Sequence, residues 1–131
     1  MTGESRVRAC GEGFTLIELL VVISIIATLL TIAVPRYFQS LERSKETVLR
    51  QDLSVLRDAI DKHKADLGQY PDTLAVLVEK GYIRAIPEDP ITKSSETWVL
   101  APSEDPESAG VRDVHSGAEG ASASGVPFEE F

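Results

Sequence analysis

Apolar positions change their spacing twice along this chain. From Phe14 to Val34 they run almost unbroken, FTLIELLVVISIIATLLTIAV, and Glu18 is the one charge in twenty-one residues. As a helix rising about 1.5 Å per residue, the run spans roughly 30 Å, the thickness of a bilayer's hydrocarbon core. Beyond Pro35 the apolar residues thin to Leu49, Leu53, Leu56, Ile60 and Leu67, spaced four, three, four and seven apart. That spacing predicts an amphipathic helix over 36–67, with its other face carrying charges of both signs. A proline inside a helix removes one hydrogen bond and crowds the preceding turn, so Pro35 predicts either a kink in one continuous helix or a break between two. The continuous reading is favoured because helical periodicity resumes on its far side. Gly68 is placed to cap the helix, which would then run from about Phe14 to Leu67 over roughly 80 Å.

The third regime begins at Gly68, where apolar runs become short and are punctuated by Pro, Gly and Asp. Asp72 follows a proline and precedes a short apolar-periodic run closed by Gly81, which predicts the N-cap of a two-turn helix. Thr97–Leu100 and Val111–Val114 have strand composition and are separated by a Pro/Ser/Glu/Asp-rich stretch, which predicts antiparallel strands joined by a long hairpin loop. Val126-Pro127-Phe128 is expected to pack on this small head. The fold class is therefore α+β: a long, partly transmembrane N-terminal helix and a head with one short helix and a two- or three-stranded antiparallel sheet.

Composition narrows what such a chain can do. With 131 residues there is room for a membrane segment and a small domain, and little for a catalytic domain of ordinary size. The formal charge of −8 is concentrated distally: residues 36–67 hold seven Lys/Arg against six Asp/Glu, and residues 68–131 hold four against twelve. An acidic distal surface lacks the basic footprint of nucleic-acid binding and suits solubility or cation binding. Cys10 is the single cysteine, so no disulfide framework staples the head. His63 lies beside the apolar stripe, far in sequence from His115, and reads as a surface residue. Arg6 and Arg8 precede the apolar run, which leaves the N-terminus in the cytoplasm and the head outside it.

An ordinary secretory signal fits poorly, because the run is long and is followed by charged helix where a small-x-small cleavage site belongs. A plain single-span anchor leaves Glu18 unexplained, since a carboxylate at the centre of a membrane helix costs about 2.5–3.5 kcal/mol and less near the interface. Gly13-Phe14-Thr15-Leu16-Ile17-Glu18, followed by a long apolar helix, resembles the processing motif of type IV prepilins and pseudopilins. The resemblance implies cleavage between Gly13 and Phe14 by a prepilin peptidase on the cytoplasmic side, and methylation of the new amino terminus on Phe14. It also implies that Glu18 meets the Phe14 ammonium of a neighbouring subunit in a filament, setting axial register, and that Pro35 is a place where the packed helix loosens. The segments expected are a leader over 1–13, a transmembrane or filament-core half over 14–35, an amphipathic half over 36–67, and a head with a C-terminal loop over 68–131.

Tyr70-Pro71, Leu74, Gly81-Tyr82-Ile83, Ile86-Pro87, Asp89-Pro90 and Trp98 are similar to the head signature of the major, G-type pseudopilins of type II secretion. That similarity implies a non-enzymatic homopolymer that forms a periplasmic fibre, stored in the inner membrane and embedded in its lipid until assembly. Its implied partners are the prepilin peptidase, minor pseudopilins, an inner-membrane assembly platform and a cytoplasmic ATPase. The G-type family also ends in an acidic, glycine-rich loop that binds calcium. Here Asp113, Ser116 and Glu119 could contribute oxygens, but a second loop aspartate is missing, and the competing reading is a Gly/Ser/Ala connector without metal. Within the same architecture the alternatives are a type IV pilin of a surface fibre, disfavoured by the absence of a C-terminal cysteine pair, and a minor pseudopilin. From another class, an anchored binding module would need no processing.

Overall fold

The computed structural model describes residues 13–131. The expected leader therefore lies outside the described residues except for Gly13, as do Arg6, Arg8 and Cys10. Contacts divide the chain into two units that meet between Phe38 and Gln39.

The N-terminal unit is helical from Leu16, two residues into its apolar run. Helix α1 spans Leu16–Leu67 as one element with Pro35 inside it, so the continuous reading holds. The apolar window is long enough to cross a membrane, and among the described residues none of it is buried against protein. Its polar residues close on themselves: the hydroxyls of Ser24, Thr28 and Thr31 donate to the carbonyls of Leu20, Ser24 and Ala27, four residues back, at 2.7–2.8 Å. Bonded this way, they present no free donor to a surrounding apolar medium.

In the unit Gln39–Phe131 the same helix becomes one wall of a core. Leu49, Leu53, Leu56 and Ile60 are buried at the predicted spacing. They pack with Leu74, Leu77, Ile83, Trp98, Val111, Val114, Phe128 and Phe131. Burying this set is the chief stabilisation available to a small head without cysteines, since each large apolar side chain contributes about 1.5–3 kcal/mol. Leu67 stays half-exposed, and α1 stops there because Gly68 adopts a φ of 77° and its N–H donates to Lys64 O at 2.9 Å.

Helix α2 spans Leu74–Glu79, and its N-cap is Thr73, not Asp72. Thr73 has the extended backbone of a cap, φ −147° and ψ 168°, with no side-chain capping bond, so chain geometry after Pro71 and burial of Leu74 and Leu77 set the start. Strands β1 (Val99–Pro102) and β2 (Val111–His115) pair antiparallel as a two-stranded sheet, with Leu100 opposite Val114 and Val99 opposite His115. Strand β1 begins and ends two residues later than composition predicts, leaving out Trp98, whose indole N–H donates to Pro87 O at 2.8 Å, and β2 runs one residue further, to His115. The register slips between Ala101 and Pro102, where Pro102 opposes Val111 and Arg112 is skipped. The slip lets Val111 and Val114, three residues apart, both face the core. A short 3-10 helix at Phe128–Glu130 closes the chain, with Phe128 and Phe131 buried as a T-shaped pair 5.5 Å apart.

His63 corrects the sequence expectation: it is 3 % exposed. Its Nδ1 donates to the Gln69 carbonyl at 2.8 Å and its ring packs against Tyr82, so the turn after α1 folds back over it. Gly110 marks another close approach, at a φ of 127°, where an added Cβ would stand 2.6 Å from Tyr70 O.

Candidate processing and assembly site

The residues expected to be processed open the apolar unit. Gly13 has open space around its Cα, and Phe14 is 86 % exposed. A backbone without side-chain obstruction, beside an exposed apolar helix, is what a protease needs to seat an extended segment.

Glu18 sits in the first turn of α1 and has a partner within its own chain. Thr15 N–H donates to Glu18 Oε2 at 3.0 Å, and Glu18 N–H donates to Thr15 Oγ1 at 3.1 Å. This reciprocal pair is a capping box, which satisfies two of the donors that a helix start leaves free. The carboxylate also lies at the positive end of the helix, where a negative charge is favoured. The box engages one carboxylate oxygen, leaving Glu18 with acceptor capacity for a further cation. The Thr-x-x-Glu spacing was available in Thr15–Glu18, and it is the signal that identifies this local role.

Two of the three residues expected to approach calcium are bound elsewhere, and the third stands apart from them in solvent. Asp113 Oδ1 accepts from Arg57 Nε at 2.8 Å and from Val114 N–H at 2.8 Å. Partial burial pulls the Asp113 carboxyl upward, but the Val114 N–H, the Arg57 guanidinium and nearby His115 outweigh it and hold it below its ordinary value. Ser116 is buried and its hydroxyl donates to Asp89 Oδ2 at 2.5 Å. Glu119 is exposed and lines, with Ser116, an open groove bounded by Val99, His115, Pro127 and Glu129. Among the described residues no group of three or more His, Cys, Asp and Glu is arranged to hold a metal ion. These residues therefore do not fit a calcium site as the structure places them: the one loop aspartate is bound to a guanidinium and the serine points into the core.

Asp89 was not singled out as a site residue, yet it is fully buried. Its Oδ1 accepts from Ile91 N–H at 2.8 Å and its Oδ2 from Ser116, so it ties the Pro90 turn to the C-terminal loop. Only the Asp-Pro dipeptide hinted at a turn there, and nothing local marks the tertiary bond to Ser116.

Residues 11–34 match the prokaryotic N-terminal methylation motif. The chain is 36 % identical over 95 residues to the type II secretion system core protein G of Klebsiella pneumoniae, covering 60 % of this chain and 68 % of that protein. It is 35 % identical over 110 residues to the core protein G of Pectobacterium carotovorum subsp. carotovorum, covering 63 % and 70 %. Against that of Pseudomonas aeruginosa the identity is 34 % over 95 residues, covering 60 % and 67 %. No solved structure matches the chain.

Proposed function

This chain belongs to the type II secretion system core protein G family, the major pseudopilins, and from that premise we propose that it is cut after Gly13, methylated on Phe14 and polymerised through Glu18. The observation that carries the proposal is the conjunction at the start of α1. Among the described residues, an unobstructed Gly13-Phe14 junction precedes a capped first turn whose carboxylate keeps acceptor capacity, and this turn opens an apolar helix with nothing packed on it.

Before assembly the apolar unit lies in the inner membrane, and the Arg6 and Arg8 side of the chain stays in the cytoplasm while the head is periplasmic. On assembly it exchanges lipid contacts for contacts with the helices of other copies. Both environments are apolar, so the exchange is near balance and is directed by close packing and the few polar groups. Glu18 supplies that direction. Its free acceptor sites attract the Phe14 ammonium of a neighbouring copy, and the attraction strengthens as water is excluded. A buried ion pair is a poor net stabiliser but a good selector of geometry, so Glu18 sets register more than it adds strength. The work is structural: peptidase, assembly platform and ATPase act on the chain, and fibre growth moves the secreted proteins.

Mass spectrometry of the chain purified from its own membranes tests the processing step. The expected N-terminus is N-methyl-Phe14; an intact Met1, or cleavage elsewhere, overturns the reading.

A further inference from the structure

The resemblance to G-type pseudopilins implies calcium in the C-terminal loop of the head, and Asp113, Ser116 and Glu119 do not converge on such a site here. We infer that the Arg57 guanidinium, together with the buried Asp89–Ser116 bond, holds the loop instead, so that this head reaches its fold without a divalent cation. The inference rests on the unit Gln39–Phe131 and does not depend on how the N-terminus is processed.

Arg57 projects from α1 and gathers three oxygens, two from strand β2 and one from Phe131. Its Nε donates to Asp113 Oδ1 at 2.8 Å, and its Nη2 donates to Val114 O at 2.9 Å and to Phe131 O at 2.6 Å. One carboxylate and two backbone oxygens are donor types that a hard cation also collects. A guanidinium collects them directionally, with N–H groups fixed in a planar fork, and it is always charged. It therefore joins strand β2 to the chain end through a helix that the apolar core already fixes. Arg50, two turns earlier on the same helix, stacks its guanidinium 4.2 Å from the Phe131 ring centroid and holds the same end from the apolar side. A divalent ion bound at Asp113 would have to sit beside the Arg57 charge and compete for the same oxygen.

The rest of the loop is fastened in the same way, by internal groups. Ser116 Oγ donates to the fully buried Asp89 and accepts from Ala118 N–H at 3.1 Å, which bends the chain around the serine. Gly117, between them, lies so close to the 97 position that an added Cβ would stand 2.1 Å from Thr97 O. Ser122 accepts from Val126 N–H through its hydroxyl at 3.2 Å, and its N–H donates to Val126 O at 2.8 Å, closing the following turn. Asp113, Ser116 and Ser122 thus already have partners within the protein, and the remaining loop carboxylate, Glu119, is exposed.

The test is thermal unfolding of the full chain in detergent micelles, followed by the fluorescence of Trp98, the one tryptophan and a core residue. Wild type is expected to melt within about one degree in excess calcium and in excess chelator, because a ligand that does not bind the native state cannot stabilise it. A melting temperature raised by calcium by about three degrees or more overturns the inference. Arg57→Gln is expected to lower the melting temperature in both conditions, with Arg57→Lys in between because it keeps the charge and loses the fork. An Arg57→Gln chain that melts like wild type overturns it as well. Should Arg57→Gln fail to fold, the calcium comparison on wild type still decides.

Discussion

Asp52 and Asp113 titrate in opposite directions for reasons that their surroundings make plain. Burial, and secondarily the charge of Asp89, raises the Asp52 carboxyl above its ordinary value. Its contribution to stability is therefore present at low pH and lost as pH rises through the folded-state value. Asp113, held low despite partial burial, contributes in the reverse sense, above the ordinary carboxylate range, and that contribution is lost on acidification. Asp52→Asn is accordingly expected to raise the melting temperature near neutral pH, and the difference should vanish near about pH 3, where the native carboxyl is protonated. Melting curves of the two proteins across pH check this; a lower melting temperature for the variant at neutral pH contradicts it. None of this could be read along the chain. Asp52 and Asp89 stand far apart in sequence, as do Arg57 and Asp113, and a buried charge or an ion pair of that separation becomes visible only when packing brings the partners together. His63 failed for the same reason, since the turn that buries it is formed by Gln69 and by Tyr82 from beyond α2.

At the scale of elements, α1 was legible because it is specified by periodicity. Its length, its passage through Pro35 and its stop before Gly68 all follow from local residues. The start of α1 is also local, since Thr15 and Glu18 bond each other. Losing a helix N-cap costs about 0.5–2 kcal/mol, so Thr15→Ala should fray the first turn, whereas Thr15→Ser should preserve it. Amide hydrogen exchange in micelles reads this directly: the Glu18 N–H, deprived of the Thr15 hydroxyl, is expected to exchange faster in Thr15→Ala than in wild type. Unchanged protection at Glu18 would show that the capping box does not hold the helix start. The head elements were located less well. Thr73 displaced Asp72 as the cap, and the strands shifted toward Pro102 and His115, because the indole bond to Pro87 and the register slip at Ala101/Pro102 are tertiary features. Short elements with little periodicity take their boundaries from such contacts.

For the molecule as a whole, the proposed assembly role rests on a residue that does nothing for the folded head. Glu18 contributes to the core neither by burial nor by contact, and it lies in an exposed apolar helix. Glu18→Leu is therefore expected to leave the chain membrane-inserted and its head folded, while fibres disappear from electron micrographs of cells overproducing it. Normal fibres from Glu18→Leu would remove the carboxylate from the assembly mechanism. The hydroxyls of Ser24, Thr28 and Thr31 add a consequence to this picture. Because each hydroxyl is bonded to its own helix, none of the three offers its proton to a neighbouring helix, and polar pairing along this stretch falls to Glu18. On the proposed reading, register is therefore chosen at one end of the apolar stretch, where Glu18 stands, and polar groups along its length add no competing choice.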